Sequence, residues 1–205
     1  MNFNKKIKDI KDLEDKLYGK LPVNREELFI LVNSWGRELS FITIINNIGY
    51  DIYKCEKKEC LPLENLDVSK IQDFSQIFFS SPFNGDLSKW DMSNCINFKE
   101  MFMYSHFSND SLKNLDFKNI KEASDMFYCS KFCGDISNWI NYENTNFRES
   151  FNNNKNFKEK YYPDNNKFLY SSDETKKWLD ENLERIREIN RPKDEVILDY
   201  FDFDR

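Results

Sequence analysis

Five cysteines, a single histidine and a recurring aspartate are the side chains of this 205-residue sequence best equipped to ligate, catalyse or dock. The cysteines suggest zinc first, as Cys55-x4-Cys60 and Cys129-x3-Cys133, but structural zinc pairs favour C-x2-C or close to it. Cys95 aligns with Ile71 and Ile120 in an apolar slot, which predicts a core thiol. His106 stands between Ser105 and Phe107 with no nucleophile motif near it, a weak setting for a general base. The phosphate-cradling G-x-x-x-x-G-K-[ST], the dinucleotide G-x-G-x-x-G and the zincin H-E-x-x-H do not occur. The expectation is a chain that is not an enzyme and takes no metal or cofactor.

The aspartates read differently, because Asp67, Asp91 and Asp116 fall at equivalent places in a repeated hexad, with Asn65, Lys89, Asn114 and Asn138 two residues before the same place. Carboxylates stacked about 4.8 Å apart repel unless hydrogen bonds answer them. The column is therefore either a structural ladder satisfied by neighbours such as Ser69, Ser93 and Lys89, or an acidic stripe that docks a basic partner. A second candidate is the tail Asp199-Tyr200-Phe201-Asp202-Phe203-Asp204, where acids alternate with aromatics. It reads as a closing strand, a frayed end, or a docking peptide that sets rings into pockets and carboxylates against Lys or Arg. Trp90 and Trp139 occupy leucine positions of the hexad and are expected in the core.

The elements that must hold these residues follow from an internal repeat. Leu63-Glu64-Asn65-Leu66-Asp67-Val68 is echoed by Leu87-Ser88-Lys89-Trp90-Asp91-Met92, then by Leu112-Lys113-Asn114-Leu115-Asp116-Phe117, then by Ile136-Ser137-Asn138-Trp139-Ile140-Asn141, at spacings of 24, 25 and 24 residues. After three of the hexads an Asp or Asn stands three residues before Gln or Glu, at Asp73/Gln76, Asn97/Glu100 and Asn146/Glu149, the signature of a capping box. Apolar residues at Phe74, Ile77, Phe78, then Phe98, Met101, Phe102, then Ala123, Met126, Phe127 have helical spacing. Phe83-Asn84-Gly85-Asp86, Phe107-Ser108-Asn109-Asp110 and Phe132-Cys133-Gly134-Asp135 supply the turns. Each coil is predicted as a strand, a short capped helix and a turn, stable only when stacked on its neighbours. Flanking helices are predicted from Ile7, Ile10, Leu13 and Leu17, from the Asn24/Glu27 capping box with Leu28, Leu31 and Val32, and from Ser171/Glu174 with Leu179, Leu183 and Ile186, ending before Pro192.

The segment Phe83-Asn84-Gly85-Asp86-Leu87-Ser88-Lys89-Trp90-Asp91-Met92-Ser93 and its continuation to Phe102 resemble the BspA-like leucine-rich-repeat family, in its short Mycoplasma-lipoprotein-type form; the likeness spans about residues 61–160. It implies a leucine-rich-repeat fold and, from the family's members, an adhesion role at a cell surface.

Composition bounds the rest. A net charge of -6 disfavours nucleic acid and anionic membrane. An odd number of cysteines and a first twenty residues without an apolar signal core point to the cytoplasm. The fold expected is α/β, a leucine-rich-repeat-like solenoid of about four strand-helix coils with helical caps at both ends: cap 1–60, repeats 61–162, closing helix and tail 163–205. The function expected is a non-catalytic inhibitor or adaptor docking on a basic protein through Asp67, Asp91, Asp116, Lys89 and the tail. The Asn, Lys, Ile and Phe bias suggests an AT-rich genome and sharpens this to an anti-CRISPR-like phage or mobile-element inhibitor of a host defence nuclease. The adhesion protein is the alternative.

Overall fold

A computed structural model describes Asp12 and residues 15–34, 63–161 and 169–192. Among them Asp12 and residues 15–17 are helical, and the flanks carry the helices α1 (Arg25–Ser34), α2 (Lys155–Tyr161) and α3 (Ser172–Asn190). Among the described residues between α1 and α2 the only helical turn is a 3-10 turn at Leu63–Asn65, and β-structure there is limited to isolated parallel bridges. The expected strand-helix leucine-rich coil is therefore overturned: among the described residues there is neither a strand nor a repeat helix.

The repeats instead pile up as coils made of turns. Phe74, Gln76, Phe78 and Ser80 donate their N–H groups to the carbonyls of Asn97, Lys99, Met101 and Met103. Phe98, Glu100, Phe102 and Tyr104 do the same to Glu122, Ser124, Met126 and Tyr128, and Ala123, Asp125, Phe127 and Cys129 to Asn146, Arg148, Ser150 and Asn152, all at 2.7–3.1 Å. The amides between them close local turns, as Ile77 N–H to Phe74 O at 3.2 Å and Phe79 N–H to Gln76 O at 3.1 Å. Half of the ribbon's donors thus bind the next coil and half bind their own, which leaves few buried amides to orphan.

This ribbon needs left-handed backbone at fixed intervals. Positive φ occurs at Gln76, Ser80, Glu100, Tyr104, Asp125, Cys129, Glu149 and Asn153, between 52° and 59°. A turn with positive φ at its third residue is what a type II turn demands. The Gln or Glu taken for the far end of a capping box is that residue. The Asp or Asn taken for the N-cap closes an Asx turn: Asp73 Oδ1 accepts from Ser75 N at 2.9 Å, Asn97 Oδ1 from Lys99 N at 2.9 Å and Asn146 Oδ1 from Arg148 N at 3.1 Å. A side-chain acceptor two residues ahead of a donor competes with helix, and here the turn wins.

Burial follows the predicted apolar positions nevertheless. Phe74, Ile77, Phe78, Phe98, Met101, Phe102, Ala123, Met126 and Phe127 are all buried. Two columns of rings run through the stack. Phe78, Phe102, Phe127 and Phe151 lie 5.0, 5.5 and 5.6 Å apart, and Phe83, Phe107, Phe132 and Phe157 6.5, 6.2 and 6.3 Å apart. Neighbours within each column are within 18° of parallel, the offset-stacked arrangement that adds to simple area burial. Trp90 and Trp139 are core, as expected, and each indole N–H is satisfied, by Leu63 O at 2.8 Å and Leu112 O at 2.9 Å.

Both ends of the stack are bonded to flanking chain. Val23 N–H reaches Asp67 O at 3.0 Å, and α1 opens with the expected reciprocal pair, Glu27 N–H to Asn24 Oδ1 and Asn24 N–H to Glu27 Oε2, both 2.9 Å. Gly19, at φ 71°, lies so near the first coil that a Cβ there would collide with the Asn65 carbonyl oxygen. At the other end Glu149 N–H bonds Tyr170 O at 3.1 Å, and α3 starts from the Ser171/Glu174 capping box and stops at Asn190, ahead of Pro192. The predicted face Ile7, Ile10 and Leu13 lies outside the described residues.

Candidate docking faces

The aspartate column is assembled by the hexads as turns. Leu66, Trp90, Leu115 and Trp139 each donate N–H to the residue three before, Leu63, Leu87, Leu112 and Ile136, so the leucine-position side chains turn inward together. Asp67, Asp91 and Asp116 follow them. Register between coils is held by side chains: Lys89 Nζ lies 3.4 Å from Asn65 Oδ1, Asn94 Nδ2 donates to Ser69 O at 2.8 Å, and Asn119 Nδ2 donates to Ser93 O at 2.8 Å.

Each aspartate spends one oxygen on its own turn. Asp67 Oδ1 accepts from the N–H and hydroxyl of Ser69, Asp91 Oδ1 from Ser93 N, and Asp116 Oδ1 from Lys118 N and from Asn141 Nδ2 at 2.9 Å. Hydrogen bonds from Ser93 hold the Asp91 carboxyl below the usual carboxylate value, and those from Asn141 and Lys118 do so for Asp116. Both side chains are exposed and ionised at neutral pH, with Lys89 beside them exposed as well. Asp67, Asp91 and Asp116 thus stand at equivalent turn positions of successive coils, with Lys89 reaching Asn65 of the coil before; Asp199, Tyr200, Phe201, Asp202, Phe203 and Asp204 lie outside the described residues.

A second face was not read from the sequence. Phe79, Tyr104 and Tyr128 form an edge-to-face ladder on the outside of the turn ribbon, with ring centroids 5.7 and 6.0 Å apart at 83° and 84°. Phe79 is 39% and Tyr104 46% exposed. Alongside runs the row of positive-φ residues Gln76, Glu100, Asp125 and Glu149, in which Gln76 Nε2 donates to Glu100 Oε2 at 2.7 Å. The three aromatics come three or four residues after Gln76, Glu100 and Asp125, a spacing visible in the sequence but hidden once the segment is assigned to a helix.

Asp125 is the costly member of that row. Burial, and then Glu149, push its carboxyl above the usual value; Glu149 outweighs Arg148, and Glu100 outweighs Lys99. A carboxyl whose folded value is raised destabilises the fold when ionised, a penalty present at neutral pH and absent once acid protonates it. Asparagine also suits left-handed backbone better than most residues. Asp125→Asn is accordingly expected to raise the melting temperature, and by more at pH 7 than at pH 3. Thermal unfolding at the two pH values checks this, and an equal or reversed gain would contradict it.

Other candidates carry less. A groove of about 430 Å³ where α1 meets the first coil is lined by Lys16, Arg25 and Lys70 among others, but Lys16 is paired with Glu27 at 2.7 Å and Arg25 donates to Ser75 O at 2.6 Å. Cys95 is fully buried, its thiol pushed up to about 12 by burial, while His106 is exposed. No group of three His, Cys, Asp or Glu side chains is placed to hold a metal ion among the described residues, and no helix there is long and apolar enough to cross a membrane.

A stack of turn-built coils that presents repeated side chains on its outer faces is the class of protein this geometry defines. Residues 47–164 match the family described as Mycoplasma protein of unknown function, DUF285, and the chain belongs to that family. No curated protein and no solved structure matches it.

Proposed function

We propose that this is a non-catalytic protein-binding repeat protein, an inhibitor or adaptor that docks on a macromolecule with a basic surface. The observation that supports it most is the Asp67, Asp91 and Asp116 column, in which each carboxylate is anchored through Oδ1 by its own turn. Anchoring fixes where the charges stand before a partner arrives, and ordered charge steers encounter with a complementary surface. A defence nuclease, whose substrate-binding face is basic, has the right chemistry for such a partner. The adhesion reading is supported by the likeness of Phe83–Ser93 to BspA-like repeats, and an export signal encoded upstream would favour it.

Asparagine at all three positions keeps the Oδ1 acceptor that each turn uses and removes only the charge. Pull-down from the native host with the wild type, with this triple variant and with residues 194–205 deleted tests the reading. The expected result is a basic protein captured by the wild type and lost with the triple variant or the deletion. A partner kept by both variants, or one without a basic surface, would refute it.

A further inference from the structure

We infer that the ribbon face of Phe79, Tyr104 and Tyr128, with Glu100, Asp125 and Glu149 beside it, docks an extended arginine-rich segment of a protein partner. This rests on the reading above that the partner is basic, and it names a different face from the aspartate column.

Three features select that occupant. First is the chemistry of the face. A guanidinium is planar, stacks on aromatic rings and forks onto carboxylates, so a row of rings beside a row of acids offers it both contacts at once. Second is spacing. Side chains on one face of an extended segment recur about every 6.6 Å, and the rings recur at 5.7 and 6.0 Å, so a segment lying along the stack sets alternate residues on successive rungs. Third is rigidity. The rungs stand on backbone bonded coil to coil, as Ser80 N–H to Met103 O at 2.9 Å and Tyr104 N–H to Tyr128 O at 3.0 Å, and Asn153 Nδ2 donates to the Tyr128 hydroxyl at 2.8 Å. Little side-chain freedom is left to lose on binding.

The placement of the acids fits the same conclusion. Glu100, Asp125 and Glu149 each occupy left-handed backbone that asparagine or glycine fills more easily, and the charges of Glu149 and Glu100 act against an ionised Asp125. A carboxyl that costs the fold stability, as Asp125 does, is the kind of group functional surfaces retain. The local bases do not cancel them: Lys99 sits 3.6 Å from Glu100 and, with Arg148, leaves the field at Asp125 negative. A nucleic acid strand also stacks on rings, but its phosphates would face these carboxylates.

The full chain should be titrated, by fluorescence anisotropy, into a fluorescein-labelled ten-residue peptide of alternating arginine and glycine. A peptide with citrulline in place of arginine serves as the neutral control. Phe79→Ser with Tyr104→Ser is expected to weaken binding about tenfold, the combined loss of two ring-cation contacts. Glu100→Gln with Glu149→Gln, which keeps shape, should weaken it severalfold, and the citrulline peptide should not bind. Asp91→Asn with Asp116→Asn reports separately on the aspartate column and should weaken binding less than either ladder variant. Circular dichroism and melting of each variant show that the fold persists; if the serine pair unfolds, the glutamine pair still decides.

Loss confined to the Asp91/Asp116 variant would overturn this inference and leave the basic-partner reading standing. Equal binding by every variant, or no binding of the arginine peptide by the wild type, would overturn it too. So would ladder-dependent binding of a labelled oligothymidylate.

Discussion

Phe127→Ala is expected to cost about 3–5 kcal/mol of stability, the range for emptying a buried aromatic site. Phe127 joins the two ring columns, with its centroid 3.9 Å from Phe132, 5.5 Å from Phe102, 5.6 Å from Phe151 and 6.3 Å from Trp139. It is fully buried, and the surrounding backbone is tied coil to coil by its own N–H to Ser150 O at 2.8 Å, so the cavity cannot close by sliding one coil toward the next. Typical domains hold only about 5–15 kcal/mol in total. In a stack where each coil touches only its neighbours, the defect also weakens coupling between the halves. Urea unfolding should therefore show a lower midpoint and a shallower slope, and Phe127→Leu should recover part of both. A loss below about 1 kcal/mol would mean that the coils repack freely and that the ring columns are not what holds them.

Asn154→Ala is the second large effect expected. Its amide is wholly buried and serves three partners: Nδ2 donates to Phe132 O at 2.8 Å and to Ser130 Oγ at 3.1 Å, while Oδ1 accepts from Phe157 N at 3.0 Å. One side chain thus links the last turn coil to its predecessor and starts α2. Alanine takes this partner from the Phe132 carbonyl and the Phe157 N–H, while Ser130 Oγ keeps the bond from Phe132 N–H at 3.2 Å; since each orphan costs about 1–3 kcal/mol, the total should approach that of Phe127→Ala. Asn154→Asp discriminates further. It keeps the bond from Phe157 but sets a carboxylate against the Phe132 carbonyl, so it should be far less stable at pH 7 than at pH 3. Chemical unfolding of both variants tests this; an Asp variant indifferent to pH would show that water reaches the site.

What could be read from the residues was the pattern of burial and the flanking caps. Phe74, Ile77 and Phe78 are buried as their spacing implies, and Asn24/Glu27 and Ser171/Glu174 close the boxes that their types predict. The backbone between was misread because two conformations bury positions i, i+3 and i+4 alike. A helix does so by its pitch, and a run of turns by reversing direction every two residues. The pattern Asp73-x-x-Gln76 fits both: it is a capping box if Asp73 bonds Gln76, and an Asx turn if it bonds Ser75, as it does here. Eight positive-φ positions without a single glycine gave no warning. The aspartate column was legible because it follows the hexad, whereas the Phe79, Tyr104 and Tyr128 ladder depends on the misread segment.

The alternation of amides along the ribbon sets how this molecule can change size. Every junction between coils uses the same donors, the same acceptors and the same two aromatic files, so the junctions are interchangeable in kind. Gain or loss of one whole repeat splices equivalent surfaces together, while any fraction of a repeat sets donors against donors. Length in such a protein comes in whole rungs, and a partner-binding face grows or shrinks by one docking position at a time.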